Sequence, residues 1–212
     1  MRDEQKKISF SGVILAVQPR SDVWRYRLDN RTHTMTGYNL FLDGTADGTE
    51  KKFGIAISEK MQQKFHFRTG AEISGTAWTK KEPRLEYADY YRVGGVKILR
   101  ESAANEEKTA PPWTEEVPAL SVYDRRGCRM LALSSWKGKC LKCRWACMAN
   151  VSIEYNWGKA RRYRFESFCY GPKSCSLYKM GKPRPVPYKD CDPDYDEGWL
   201  DDICTQGRGE DD

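Results

Sequence analysis

Residues 36–57 read TGYNLFLDGTADGTEKKFGIAI, two alternating runs separated by a turn. Tyr38, Leu40 and Leu42 alternate with Asn39 and Phe41, the period of a half-buried strand. Beyond the turn, Phe53, Ile55 and Ile57 share a face in the same way. Upstream, ISFSGVILAV (8–17) is β-branched and apolar, with Gly12 where a strand can bend sharply. Downstream, SEKMQQKF (58–65) reads as a short helix with Ser58 as its N-cap and Met61 and Phe65 one turn apart. AEISGTAW (71–78) and EYADYYRVGGVKIL (86–99) supply two further strands.

Three strands, a short helix and two more strands is the order of the OB-fold, a small Greek-key barrel whose closure leaves no exposed sheet edge. The fold class expected is therefore mainly β, with an OB-like five-stranded barrel over residues 1–101. Residues 102–118, SAANEEKTAPPWTEEVP, are acidic, contain three prolines and lack an apolar period, so they read as a linker. Residues 119–190 read as a small cysteine-rich, metal-binding β-hairpin domain, and 191–212 as an acidic tail.

The cysteines carry the strongest chemical signal. Cys140, Cys143 and Cys147 are followed by Cys169 and Cys175, five thiols within 36 residues. A two-residue gap lets one tight turn aim both sulfurs at a single centre, and thiolate is a soft ligand for zinc or iron. VSIEY (151–155) and ARRYRFESF (160–168) alternate about the turn NWGK (156–159), a hairpin that brings Cys147 roughly opposite Cys169. Zn2+ is the first expectation, since structural zinc sites are closed and four-coordinate. An iron–sulfur cluster takes the same four thiolates and stays open as the alternative. Both histidines, His33 and His66, lie outside this region, which argues against a catalytic zinc with an open position.

Charge is distributed unevenly. The net charge is +6 over the chain, with +12 across residues 121–190 and −8 across 191–212. A basic body points to a polyanionic partner, and the acidic tail offers a second surface for a protein partner. OB barrels hold oligonucleotides by stacking bases on aromatics and tracking phosphates with cations. The candidates for that work are Arg25, Arg27, Tyr38, Lys51, Lys52 and Trp78 in the barrel, and Arg161 and Arg162 near the cysteines. Period-two alternation equally allows the aromatics of the second strand to be core.

No run approaches the ~20 apolar residues of a membrane span. The N-terminal MRDEQKKISFSG lacks the apolar core of a secretory signal, so a cytoplasmic location with reduced thiols is expected. GxSxG, GxGxxG after a strand, GxxxxGK[ST] and HExxH are all missing from the sequence, so no catalytic residues are assigned. The segments WKGKCLKCRWAC (136–147) and CYGPKSCSLYKMG (169–181) resemble those of a group of prokaryotic proteins that join an OB-like region to a cysteine region. The resemblance spans nearly the whole chain and implies a cysteine-metal domain, with no activity attached. The function expected is non-enzymatic binding of single-stranded DNA or RNA. An iron–sulfur redox or sensory protein and a protein-interaction adaptor are the alternatives.

Overall fold

The computed structural model describes residues 5–26, 31–102, 110–154, 161–182 and 197–208. Among the described residues the chain is mainly β, with 48% in strands against 18% in helices, as expected. Its elements are β1 (Lys7–Tyr26), β2 (Thr32–Ala46), β3 (Thr49–Ile57), α1 (Glu59–Phe65), β4 (Glu72–Thr79) and β5 (Tyr90–Arg100) in the first half. The second half contains α2 (Leu120–Arg126), β6 (Arg129–Met130), α3 (Leu133–Lys137), β7 (Ala146–Glu154), β8 (Arg162–Cys169) and α4 (Glu197–Cys204).

The β2–β3 hairpin is the piece its sequence specifies most directly. Ala46 pairs with Thr49 across a two-residue turn in which Asp47 and Gly48 have φ of 53° and 76°. Both central residues at positive φ is the Asp-Gly preference of a type I′ turn, whose twist suits the flanking strands. Ser58 caps α1, its hydroxyl accepting from the Met61 N–H at 3.2 Å.

The five N-terminal strands form a ring. β1 pairs with both β2 and β4, and the sheet runs on through β2-β3-β5-β4. The β3–β5 closure is parallel and rests on one pair, Ile55 with Tyr90, so the strands ring without making a clear barrel. Ile14, Leu40, Leu42, Ile55 and Ile73 are fully buried inside it. Gly12 and Gly44 face one another where β1 and β2 approach most closely. A Cβ on Gly44 would stand 2.3 Å from the Ser11 carbonyl oxygen, so only glycine fits.

Two features bear on how the expected regions join. β1 runs 20 residues, well past Val17, with register shifts at Ile14/Ala16 and Arg20/Ser21 that bend it. Its far end, Asp22–Tyr26, pairs in parallel with Asn150–Glu154 of β7, and β8 and β6 follow on the same eight-stranded sheet. The cysteine region therefore extends the N-terminal sheet through a shared strand and does not build a sheet of its own. The described parts of the linker and tail also pack. Val117 and Leu200 are buried, the Pro118 carbonyl accepts from Tyr38, and Asp201 is buried against Arg31. The turn expected at 156–159 and Cys191 lie outside the described residues.

Candidate metal centre

The Cys140–Cys143 turn follows α3 and closes on itself, the Cys143 N–H donating to the Cys140 carbonyl at 3.0 Å. Gln18 of β1 holds it from outside. Its carboxamide nitrogen lies 3.0, 2.9 and 3.1 Å from the carbonyl oxygens of Cys140, Leu141 and Cys143. Three acceptors for two hydrogens make one of these bonds shared. The Gln18 carbonyl accepts from the Trp136 indole N–H at 3.2 Å, so the side chain is satisfied although fully buried. Cys169 ends β8, where its sulfur accepts from the Gly171 N–H at 3.4 Å. Cys175 closes the next turn, its N–H donating to Pro172.

These elements bring Cys140, Cys143, Cys169 and Cys175 to one void of about 10 Å3, otherwise lined mainly by apolar groups such as Trp113, Leu131, Ala146 and Leu177. Burial pushes the Cys140 thiol up to about 11, and the nearby charges of Cys169 and Cys175 add to the rise. Burial likewise raises Cys143 to about 12, against backbone N–H groups of Trp145 and Trp113 that favour its thiolate. Burial raises Cys169 too, while the Gly171 N–H, Arg129 and Arg208 oppose it. Thiols so placed ionise only when a cation compensates them. Among the described residues no three His, Cys, Asp or Glu side chains stand close enough to hold a single metal ion. The four sulfurs surround a space and do not meet at a point.

Cys147, expected with the group, stands apart from it. β7 and β8 pair Ala146 with Cys169 and Cys147 with Phe168, one residue off the expected register. Cross-strand partners share a face and neighbours along a strand alternate, so this single step turns Cys147 to the opposite face. There it is fully buried, facing Ser21 of β1, and Ala146 takes its place beside the void.

The expected nucleic-acid residues divide three ways. Arg25 is 1% exposed and paired with Glu166 at 2.7 Å, and Tyr38 is equally buried, its hydroxyl donating to Pro118 at 2.8 Å. Both are corrected to core residues. Arg27 lies outside the described residues. Lys51 and Lys52 are exposed on β3, with Lys51 Nζ 5.5 Å from the Tyr90 ring centre. They share a depression of about 260 Å3 with Lys80 and Tyr90. Trp78 is half-buried opposite Tyr91, Arg161 lies exposed 4.6 Å over the Trp24 ring, and Arg162 is exposed on β8.

Gln18 and Trp136 were missed in the sequence. A glutamine inside the apolar run ILAVQP is the signal that could have found the first, because a polar group inside a buried strand requires partners. Among the described residues no helix is long and apolar enough to cross a membrane. No protein-family model, no curated protein and no solved structure matches the chain.

Proposed function

We propose that the protein binds single-stranded nucleic acid through an OB-type ring braced by a metal centre on Cys140, Cys143, Cys169 and Cys175. The observation that carries the metal reading is the single buried void lined by those four thiols. The ring order, with α1 between β3 and β4, supports the OB assignment.

Spacing favours an iron–sulfur cluster over zinc. Around zinc at about 2.3 Å, four sulfurs would stand roughly 3.8 Å apart and leave no room for a water-sized sphere between them. Here no three His, Cys, Asp or Glu side chains among the described residues stand close enough for one ion, while four thiols line one void, which suits a group with several metal atoms. A bound cluster would supply the positive charge that keeps the thiolates ionised. Gln18 would hold the turn in place, and the Gly171 N–H and the arginines Arg129 and Arg208 would offset the charge at Cys169.

The nucleic-acid reading rests on Lys51, Lys52 and Lys80 beside Tyr90 at one end of the ring and on Arg161 over Trp24 further along β1. Cations beside aromatic faces are the recognition chemistry of single strands. Fluorescence anisotropy with a labelled 15-nucleotide single strand tests it. Binding should weaken steeply with salt, as released counterions require. The double variant Lys51→Glu/Lys52→Glu should bind at least about ten-fold more weakly with a shallower salt slope. Binding that is absent, or flat in salt, overturns this reading.

A further inference from the structure

The void lined by Cys140, Cys143, Cys169 and Cys175 is closed. Cys140, Cys143 and Cys169 are at most 7% exposed, so a metal centre enters or leaves only when one side of the wall moves. The side that carries Cys140 and Cys143 is the fixed one. Gln18 of β1 holds the carbonyls of that turn and Trp136 holds Gln18, while the Trp113 carbonyl accepts from the Arg144 N–H at 2.8 Å. The opposite side is the loop from Cys169 to Tyr178, which follows β8 and is gripped by a different part of the chain.

That part is α4 and the turn after it. Arg208 donates to the Gly171 carbonyl at 2.5 Å and to the Arg126 and Gly127 carbonyls at 2.6 Å each, so one guanidinium ties the loop to the end of α2. Gly171 is also the residue whose N–H meets the Cys169 sulfur. Asp201 of α4 accepts from the Tyr178 hydroxyl at 3.0 Å, from the Met130 N–H at 2.8 Å and from Arg31 at 2.7 Å. Tyr178 lines the void itself, and Arg129 covers its ring at 3.8 Å while donating to the Pro172 carbonyl at 2.8 Å. The anchors of α4 and its turn are therefore mostly polar. Among the described residues 197–208, Leu200 is the one large apolar side chain that is buried, while Trp199 and Ile203 face outward. A segment held by hydrogen bonds and one apolar side chain separates from the core more readily than a strand of the ring.

We propose that residues 197–208 form a strap across the loop from Cys169 to Tyr178, and that release of this strap opens the four-thiol void to metal. The proposal rests on the metal reading of the four thiols and adds the side by which the metal passes. When the strap lifts, Gly171 and Tyr178 lose their outer partners. The turn that carries Cys169 and Cys175 is then free to move, while Cys140 and Cys143 stay on the turn that Gln18 holds. When the strap docks, the same bonds hold the two pairs of sulfurs around one space. Cys147, fully buried on β7 against Ser21 of β1, belongs to the fixed core and stays covered throughout.

Pulsed alkylation of the reduced, metal-free full-length protein with iodoacetamide, read cysteine by cysteine by peptide mass mapping, tests the proposal. In the unsubstituted protein Cys169 should be modified faster than Cys147. In Arg208→Ala, Cys169 should react at least about ten-fold faster still, the equivalent of one lost hydrogen bond, with Cys147 unchanged. Asp201→Asn should act in the same direction, and it carries the test if Arg208→Ala does not fold. In metal-loaded protein both variants should pass their metal to a chelator faster by a similar factor. If the purified protein holds no metal, the metal reading falls, and the alkylation rates still decide whether the strap exists. An unchanged Cys169 rate in both variants overturns the strap. Equal acceleration of Cys169 and Cys147 overturns it too, because the void would then open only when the whole chain unfolds.

Discussion

Gln18 reaches from β1 to the carbonyls of Cys140, Leu141 and Cys143 and accepts from Trp136, so one side chain meets four polar groups of α3 and the Cys140–Cys143 turn. Gln18→Leu removes the partner of the Leu141 carbonyl and of the Trp136 indole N–H, while the Cys140 and Cys143 carbonyls still accept from the N–H groups of Cys143 and Ala146. Each orphaned buried group costs roughly 1–3 kcal/mol, so the variant should lose at least about 2 kcal/mol in a urea titration. An unchanged midpoint would mean that the turn holds itself. Cys147 gives a contrasting case on the neighbouring strand. Because it faces away from the void, Cys147→Ala should purify with a full complement of metal, whereas Cys143→Ala should lose most of it. Equal losses in the two variants would put Cys147 back among the ligands.

At the scale of elements, β1, β7 and β8 are tied by the Arg25–Glu166 pair, which spans from the first of these strands to the third with both side chains 1% exposed. A fully stranded buried charge costs about 3–5 kcal/mol, but Glu166 also accepts from Arg164 at 2.5 Å and keeps that partner when Arg25 is removed. Arg25→Met should therefore be destabilised by about 2 kcal/mol in chemical unfolding. Arg25→Met/Glu166→Gln should depart from the sum of the two single variants by at least about 0.5 kcal/mol, and strict additivity would refute the pairing. This pair also marks where the sequence stopped being readable. The β2–β3 hairpin was legible because Asp47-Gly48 fixes the turn and the apolar alternation fixes the face. Arg25 was not, because alternation does not say which face of a strand meets a second layer, and a buried arginine looks like an exposed one until Glu166 is placed beside it. The four thiols that line the void were legible as a group from the cysteine spacing. The exclusion of Cys147 was not, since it turns on a one-residue register that lies within the error of any turn placement.

The molecule as a whole is held together by β1, which belongs both to the ring and to the sheet that carries the cysteines. His33, half-buried as a residue but with its ring packed against Phe168 and Tyr170, reports on that union because it sits on β2 against Cys128. Burial, and then the charges of Arg31 and Arg25, lower its pKa to about 3. An unfolded histidine takes its proton near 6.5, so between about 6.5 and 3 the unfolded chain holds a proton that the folded chain lacks. Stability is therefore complete above that window and falls as the pH falls through it. From pH 7 to pH 5 the protein should lose about 2 kcal/mol more than His33→Asn, compared by urea midpoints. Equal losses would show that His33 is protonated in the folded state. Comparison with the variant separates this effect from acid release of a thiolate-bound metal, which both proteins share.

Iron, zinc and acid-labile sulfide per chain, measured on protein purified without oxygen, test the central claim most directly. The account predicts iron and acid-labile sulfide in equal numbers, about two or about four of each, with a broad visible absorption that reductant bleaches. One zinc in a colourless protein would keep Cys140, Cys143, Cys169 and Cys175 as ligands and contradict the cluster. A chain with neither metal would contradict the metal centre itself.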